Sequence, residues 1–161
     1  MDKTADLAVL EEEDTQKGRY LTFALSNELY GIEIKYVTEI IGLQPITVVP
    51  ELPEYLRGII NLRGKIIPIM DVRLRFKKQF REYNDRTCVI VIDIMNSVMG
   101  LIVDSVEEVI SIPDTEIVVP TENHMVSNRY IKGIGKVGSE VKLLLDCSRL
   151  LNSDELDKIS A

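Results

Sequence analysis

The side chains best suited to bind a partner lie in a tight turn, where Arg63 is followed by Gly64. Glycine allows a positive φ at little steric cost, and Asn61 can hydrogen-bond the local backbone and stiffen the turn. An arginine held at such a tip can pair with a carboxylate, and Arg is enriched among the residues that dominate binding energy at protein interfaces. An ordinary hairpin with a solvated arginine explains the same residues equally well.

Side chains for catalysis or metal binding are few. The single histidine, His124, lies in a polar stretch with no second His or Cys at ligand spacing. We expect a surface residue, and an enzyme that uses His124 with Asp114 or Glu122 is the weakest alternative. Residues 133–136 (Gly-Ile-Gly-Lys) resemble part of a phosphate-binding loop but lack its upstream glycine and its Ser or Thr. No catalytic residue, metal or cofactor is predicted.

The remaining reactive groups are predicted to be structural. Asp71 and Asp146 each precede a short leucine-bearing segment and are credible helix N-caps, worth about 1 kcal/mol each. Asp104 follows a strand end and is most simply part of a turn. Cys88 and Cys147 are too few and too far apart for a disulfide framework or a zinc site, so we expect Cys88 to be a buried, reduced thiol.

The charge of the chain limits the class of partner. A formal net charge of −7 argues against a nucleic-acid backbone. Residues 57–81 carry eight bases and one acid, whereas residues 101–126 carry six acids and no base. These stretches are either two solvated faces or surfaces complementary to a related partner. A small-barrel nucleic-acid binder would stack bases on exposed rings, and only Phe76, Phe80 and Tyr83 are available in the basic stretch.

Length and hydropathy indicate a globular protein. The 161 residues can form one domain or two small lobes, and 45% hydrophobic residues can bury a real core. No apolar run approaches the length that crosses a bilayer, and the N-terminus has no signal-peptide pattern. We therefore expect a cytoplasmic protein without direct membrane insertion. Residues 1–17 are predicted to be a disordered acidic tail.

The chain contains an internal repeat. Residues 21–41 align without a gap on residues 90–110 after a shift of 69 positions, and residues 55–59 align on 130–134 after a shift of 75. Each copy has about five short strands. The predicted fold is therefore mainly β, with two pseudo-symmetric five-stranded barrels packed side by side and a C-terminal α-helix.

Local patterns predict details of the strands. Two-residue turns are expected at Asn27–Glu28 and at Asn96–Ser97. Pro68 cannot donate to a sheet ladder, so its strand is expected at an edge or at a bulge. The C-terminal helix is predicted to continue to Leu156. The copies differ most at residues 61–65, and asymmetry within a repeat is better explained by use than by packing.

Several motifs together resemble the CheW family, the coupling proteins of bacterial chemotaxis. The resemblance covers essentially Arg19 to the C-terminus, and the motifs show no departure from the family pattern. They lie in five segments: residues 30–32, 37–40, 61–64, 100–106 and 130–134.

The resemblance implies a CheW-like domain over residues 18–161, with two interlocked SH3-like barrel lobes at about 19–83 and 84–151. It also implies a non-catalytic adaptor that joins the cytoplasmic hairpin tips of chemoreceptors to the histidine kinase CheA, whose regulatory domain is built like CheW itself. The alternative is the regulatory module of a kinase or of a CheV-like adaptor, although the chain carries no ATP-binding or phosphoacceptor segment.

The predicted protein-binding residues come from the family motifs and from the places where the two copies differ. The resemblance implies that a receptor tip binds between the two barrels, with Val37, Glu39, Gly58 and Arg63 there and at the nearby kinase contacts. The repeat asymmetry adds the rest of the Arg-Gly turn and the start of the acidic stretch. The full set is Val37, Glu39, Gly58, Asn61, Leu62, Arg63, Gly64, Val103, Asp104 and Val106.

Overall fold

The fold is mainly β, as the computed structural model shows for residues 16–120 and 129–151. Most of the predicted acidic tail, His124, and the predicted continuation of the C-terminal helix to Leu156 lie outside these described residues. The strands are β1 (Arg19–Leu25), β2 (Glu28–Glu33), β3 (Val37–Gly42), β4 (Leu56–Leu62), β5 (Lys65–Asp71), β6 (Cys88–Ile94), β7 (Ser97–Val103), β8 (Ser105–Ser111), β9 (Ile117–Val118), β10 (Ile131–Val137) and β11 (Glu140–Leu145). The helices are α1 (Val72–Arg75) and α2 (Cys147–Leu151), with 3-10 turns at Ile34–Tyr36 and Asp114–Glu116.

The strands form two sheets with matching order. The six-stranded sheet runs β8-β1-β2-β11-β10-β9, and the five-stranded sheet runs β3-β6-β7-β5-β4. Most neighbours are antiparallel, but β2 pairs parallel with β11, and β7 pairs parallel with β5. The predicted class, mainly β with two SH3-like barrels, is confirmed.

The two copies exchange their first hairpins. The β1–β2 hairpin of the first copy lies between β8 and β11 of the second, while the β6–β7 hairpin of the second copy lies between β3 and β5 of the first. The division near residues 83 and 84 therefore separates the two sequence repeats but does not separate the two sheets. Each sheet depends on strands from both copies.

The hairpin turns lie one residue earlier than predicted. Leu25 pairs with Glu28 in the first hairpin, so its turn residues are Ser26 and Asn27. In the second hairpin the turn residues are Met95 and Asn96, with φ of 51° and 66°. Two-residue hairpins favour turns with positive φ because these turns match the right-handed twist of the strands. The sequence shows an asparagine in each turn, but it does not show whether that asparagine is the first or the second turn residue.

The strand of Pro68, expected at an edge or at a bulge, does not lie at an edge, because β5 lies between β7 and β4. Its pairing with β4 does shift register, opposite Ile69 and Met70 next to Pro68. Pairing with β7 begins only at Ile69, so Pro68 lies just outside that paired segment, opposite Ile59 of β4. The missing N–H of Pro68 therefore falls outside the hydrogen-bonded ladder between β5 and β7. An edge strand would avoid the lost hydrogen bond in the same way.

Both predicted helix caps are confirmed. A carboxylate oxygen of Asp71 accepts from the backbone N–H of Leu74 at 3.4 Å before α1. Asp146 accepts from the backbone N–H groups of Ser148 and Arg149, at 3.0 and 3.3 Å, before α2. The two copies thus end their last strands with the same device.

The largest core lies where the two sheets meet. It takes buried side chains from β1 and β2 of the six-stranded sheet and from β6 and β7 of the five-stranded sheet, together with Tyr130 and Leu150. Two smaller clusters fill the barrel interiors, one built around Ile67 and Val91 and the other around Leu144. Because most of the buried apolar residues belong to this shared cluster, the hydrophobic effect couples the two barrels.

Candidate protein-binding site

The Arg-Gly turn is a strained hairpin tip. Leu62 pairs with Lys65, which leaves Arg63 and Gly64 as the two turn residues, with φ of 52° and 84°. A side-chain oxygen of Asn61 accepts from the Gly64 N–H at 2.8 Å and stiffens the turn as predicted. A left-handed conformation costs a residue with a β-carbon roughly 1–2 kcal/mol. The sequence pointed to Gly64 as the residue with positive φ, but Arg63 adopts it as well.

The equivalent turn of the second copy is built from Gly138 and Ser139. Gly138, with φ of 62°, occupies the first central position, where the first copy has Arg63. Glycine accepts this conformation without strain. The fold therefore does not require an arginine at the tip, and strain kept at one of two equivalent turns is typical of functional positions.

Glu39 lies beside the arginine on the edge strand β3. The register between β3 and β6 shifts at Thr38, whose hydroxyl donates to the Val91 carbonyl at 3.1 Å. Beyond this bulge the Glu39 carboxylate forms an ion pair with the Arg63 guanidinium. The arginine side chain is still 68% exposed. Because exposed ion pairs contribute only about 0–1 kcal/mol, Arg63 can be reached and recruited by another carboxylate.

A recess of about 300 Å³ opens next to this pair, at the ends of β3–β7. Its floor is apolar, because Ile67 and Val91 are 2% exposed members of the barrel interior. Its rim is charged and carries Lys65 and Asp93 in addition to the Arg63 and Glu39 side chains. An apolar floor with a charged rim suits a partner that presents both apolar and acidic side chains.

Sequence reasoning missed part of this recess. The unpredicted lining residues are Thr38, Ile67, Val91, Asp93 and Val98. The β6–β7 hairpin reaches the recess only because the copies exchange hairpins, which sequence does not reveal. Alternation along β6 could have indicated an exposed Asp93, since its neighbours Ile92 and Ile94 are buried.

Two predicted residues, Val37 and Val106, lie at the border of the central core. They occupy equivalent positions in the edge strands β3 and β8. Both are half-buried and pack against the shared core cluster. Their remaining exposed surface can contact a partner, while their buried part contributes to the fold.

Gly58 has a structural role that the prediction did not include. Its φ is 139°, and a β-carbon there would lie 2.1 Å from the Thr47 carbonyl oxygen. The close approach allows two backbone hydrogen bonds between Thr47 and Ile59, of 2.8 and 3.0 Å. Glycine is therefore required by the fold, whichever partner binds nearby.

Val103 needs correction as a contact residue. It is 1% exposed and belongs to the central core cluster. It precedes Asp104 at the end of β7, and the alternation along the strand directs its side chain inward. A partner docking on the surface cannot contact this side chain unless the strand moves.

Asp104 lies in an internal ion-pair network, away from the Arg63 turn. Its carboxylate accepts two hydrogen bonds from Arg73, both 2.9 Å long, and one from the Ser26 N–H at 2.7 Å. Arg81 approaches the same carboxylate at 3.2 Å. Burial alone would raise the pKa of Asp104, but these donors and charges hold it below its ordinary value. We therefore assign Asp104 a structural role in joining the hairpin tip, α1 and β7.

Most of the aromatic rings that a nucleic-acid surface would need are engaged in contacts within the fold. The Phe76 ring packs in the core between Tyr30 and Tyr130, at 5.4 Å from each ring centroid. Tyr83 donates its hydroxyl to the buried carboxylate of Asp71. Phe80 alone among the three predicted rings is substantially exposed, at 44%. A single exposed ring is a poor platform for successive bases.

The enzyme alternative gains no support from the residues that the structure describes. His124 and Glu122 fall outside them, and Asp114 is exposed at the start of a 3-10 turn. The Gly-Ile-Gly-Lys segment is part of strand β10, so it is not a phosphate-binding loop. Gly133 is needed there because a β-carbon would approach Ile117 to 2.9 Å.

The two cysteines differ in burial. Cys147 is buried, and burial raises the pKa of its thiol to about 12. Cys88, expected to be buried, is half-exposed at the start of β6.

No group of three His, Cys, Asp or Glu side chains suited to a metal occurs within residues 16–120 and 129–151. Over the same ranges, no helix is long and apolar enough to span a bilayer.

Comparisons with known proteins agree across sequence and structure. A family model described as a CheW-like domain matches residues 19–155. The chemotaxis protein CheW of Klebsiella aerogenes is 36% identical over 144 residues, which cover 89% of this chain and 87% of that protein. The chemotaxis protein CheW of Treponema pallidum is 32% identical over 145 residues, with 87% and 85% coverage. The crystal structure of the scaffolding protein TtCheW from Thermoanaerobacter tengcongensis superposes with a TM-score of 0.79 at 35% identity, covering 86% of this chain and 94% of that one.

Proposed function

Because the chain belongs to the CheW-like domain family, we propose that this chemotaxis adaptor couples the cytoplasmic tips of chemoreceptors to the regulatory domain of the histidine kinase CheA. The proposal places the protein in the cytoplasm and gives it no catalytic activity of its own. The observation that carries it is the strained Arg63 tip above an apolar recess, present in one copy of the repeat and replaced by Gly138 in the other.

The recess fits one kind of partner segment. A receptor tip is a helical hairpin, and a helix can place an apolar face on the half-buried Leu62 and Val98 while an acidic side chain meets Arg63. The partner carboxylate would replace Glu39 in the ion pair. Val37 lies one residue before the bulge that directs Glu39 toward the turn. Asn61, Leu62 and Gly64 act through the turn by holding Arg63 in place.

The kinase domain is expected to use exposed apolar positions that occur in equivalent pairs. Ile40 in β3 and Val109 in β8 are 44% and 41% exposed, and Ile66 in β5 and Val141 in β11 are 58% and 53% exposed. Each barrel thus presents an equivalent pair of exposed apolar side chains. A domain built like the adaptor itself can pair with such a surface end to end, which supports a contact with the kinase regulatory domain.

A direct binding test uses the purified protein and its two partners. Titration into the CheA regulatory domain, and separately into a receptor cytoplasmic hairpin, should give saturable binding to both. Arg63→Ala should weaken at least one of these by about 2 kcal/mol, the size expected of a hot-spot arginine.

A matched control is Arg149→Ala, which removes another exposed arginine that lies on α2 and pairs with the cap residue Asp146. This variant should bind both partners as the parent protein does. Binding to neither partner by the parent protein would reject the adaptor proposal for these partners. If the parent protein binds both partners and Arg63→Ala binds them equally well, the contact lies away from the Arg63 turn.

A further inference from the structure

A buried cation lies at the junction of the two copies. Arg75, the last residue of α1, is 6% exposed. Its guanidinium donates to the Leu150 carbonyl of α2 at 3.1 Å. Within the part of the chain that the structure describes, no ion pair includes Arg75, and its Nε has no hydrogen-bond partner.

Two tyrosine rings enclose this cation. The Arg75 Cζ atom lies 4.3 Å from the centroid of the Tyr55 ring and 5.0 Å from that of the Tyr130 ring. A ring face attracts a cation through its quadrupole, and more strongly where water is excluded. Among the described residues, the guanidinium is thus held by two aromatic faces and one carbonyl.

The contacts join equivalent residues of the repeat. The shift of 75 positions that aligns the two copies places Tyr55 on Tyr130 and Arg75 on Leu150. The arginine therefore meets its own counterpart across the pseudo-symmetry, and the two tyrosines are counterparts as well. Tyr55 leads into β4 of the five-stranded sheet, whereas Tyr130 leads into β10 of the six-stranded sheet.

Stability does not explain an arginine at this position. A buried charge loses its hydration, and within the described residues no ion pair offsets that cost at Arg75. The equivalent Leu150 is fully buried, so the repeat accepts an apolar residue there. What an apolar side chain cannot do is hold a carbonyl and two ring faces from different segments in one geometry.

We propose that Arg75 is a positioning residue that holds α2 and the start of β10 against α1, at a cost in stability. Buried polar groups that select one arrangement among similar ones have this energetic character. The inference does not depend on which partners the barrels bind.

Hydrogen exchange of backbone amides tests this role with Arg75→Met. The Leu150 amide donates to Asp146 within α2, and its protection reports on that helix. We expect a loss of protection of about tenfold or more in α2, as for a segment released to local opening. The amides of β4 and β5 should keep their protection, and the thermal midpoint should stay the same or rise.

The control is Val89→Ala, which truncates a fully buried side chain of a barrel interior. It should lower the thermal midpoint and raise exchange across the sheets, without a selective effect on α2. Arg75→Lys keeps a cation but loses the planar group, and it should also reduce α2 protection selectively.

Unchanged α2 exchange in Arg75→Met would overturn the proposal. So would a uniform loss of protection with a lower midpoint, as in Val89→Ala, because that pattern describes an ordinary core residue. Failure of both Arg75 variants to fold would overturn it as well, since the proposal requires folding without the arginine.

Discussion

Arg73 and Asp104 form a two-point ion pair, with both contacts 2.9 Å long, that joins α1 of the first copy to the end of β7 in the second. The side chains are 10% and 18% exposed, so the pair is largely removed from water. The Ser26 N–H at the tip of the first hairpin shares the same carboxylate. The pair thus connects three segments that are distant in sequence, and removing Asp104 takes away the ion-pair partner of Arg73.

Asp104→Asn should lower the free energy of unfolding at neutral pH by about 3 kcal/mol, because it leaves the Arg73 guanidinium without a charged partner in a mostly buried site. Urea denaturation measures the change. Asp85→Asn, at an exposed position, serves as the control and should stay within about 0.5 kcal/mol of the parent protein. An equal effect of the two variants would contradict a stabilising role for the pair.

The same carboxylate predicts part of the acid sensitivity. The pKa of Asp104 is lower in the folded chain than its ordinary value of 3.8, so the unfolded chain binds more protons in acid. Its contribution is therefore complete above pH 3.8 and is lost as the pH falls through the folded value. Unfolding curves at a series of acidic pH values should show a weaker pH dependence in Asp104→Asn than in the parent protein. If the two proteins showed the same pH dependence, the pKa of Asp104 would be the same in the folded and the unfolded chain.

Arg63→Gly should separate binding from stability. Glycine relieves the left-handed strain at φ 52°, so the free energy of unfolding should rise by roughly 1 kcal/mol, while partner binding weakens by about 2 kcal/mol. Gly138→Ala is the reciprocal control in the second copy, where φ is 62° and no atom obstructs a β-carbon. It should lose about 1 kcal/mol of stability without affecting binding. A loss of stability in Arg63→Gly would show that the arginine holds the fold.

Gly58→Ala should destabilise the protein by about 3 kcal/mol or more, because the added β-carbon would overlap the Thr47 carbonyl oxygen at 2.1 Å. Gly42→Ala is a matched control in β3, since a β-carbon there meets nothing within 4 Å. Chemical denaturation of the two variants gives the comparison. If Gly58→Ala weakened partner binding but left the unfolding midpoint unchanged, Gly58 would be a contact residue and the steric argument would fail.

Two valines of the predicted set should behave differently. Val103→Ala removes a side chain that is 1% exposed and should cost roughly 2–3 kcal/mol of stability. Val106→Ala, at the half-buried border of the same core, should cost about 1 kcal/mol. Binding is measured by titration at a temperature well below both unfolding midpoints, where both variants are folded. Under these conditions only Val106→Ala should bind its partner more weakly. Weaker binding by folded Val103→Ala would restore it as a contact residue.

The periodic features were predictable from the sequence. The 69- and 75-residue shifts identify equivalent strands, turns and caps in the two copies, since each depends on patterns within about ten neighbouring residues. Asp71 and Asp146 are caps for that reason, and Asn61 stiffens its turn through a contact three residues away. Turn positions were displaced by one residue at both first hairpins because either residue of such a pair can adopt a positive φ.

The sequence by itself determined the repeat, the mainly β class and the one turn at which the copies differ, because these follow from local periodicity and composition. Only the tertiary structure decided that the first hairpins are exchanged between the sheets. That exchange brings Asp93 to the Arg63 recess, buries Val103 in the shared core and pairs Arg73 with Asp104. Strand order depends on which long-range pairing buries the most apolar surface, and two nearly equivalent copies offer the same local patterns to either arrangement.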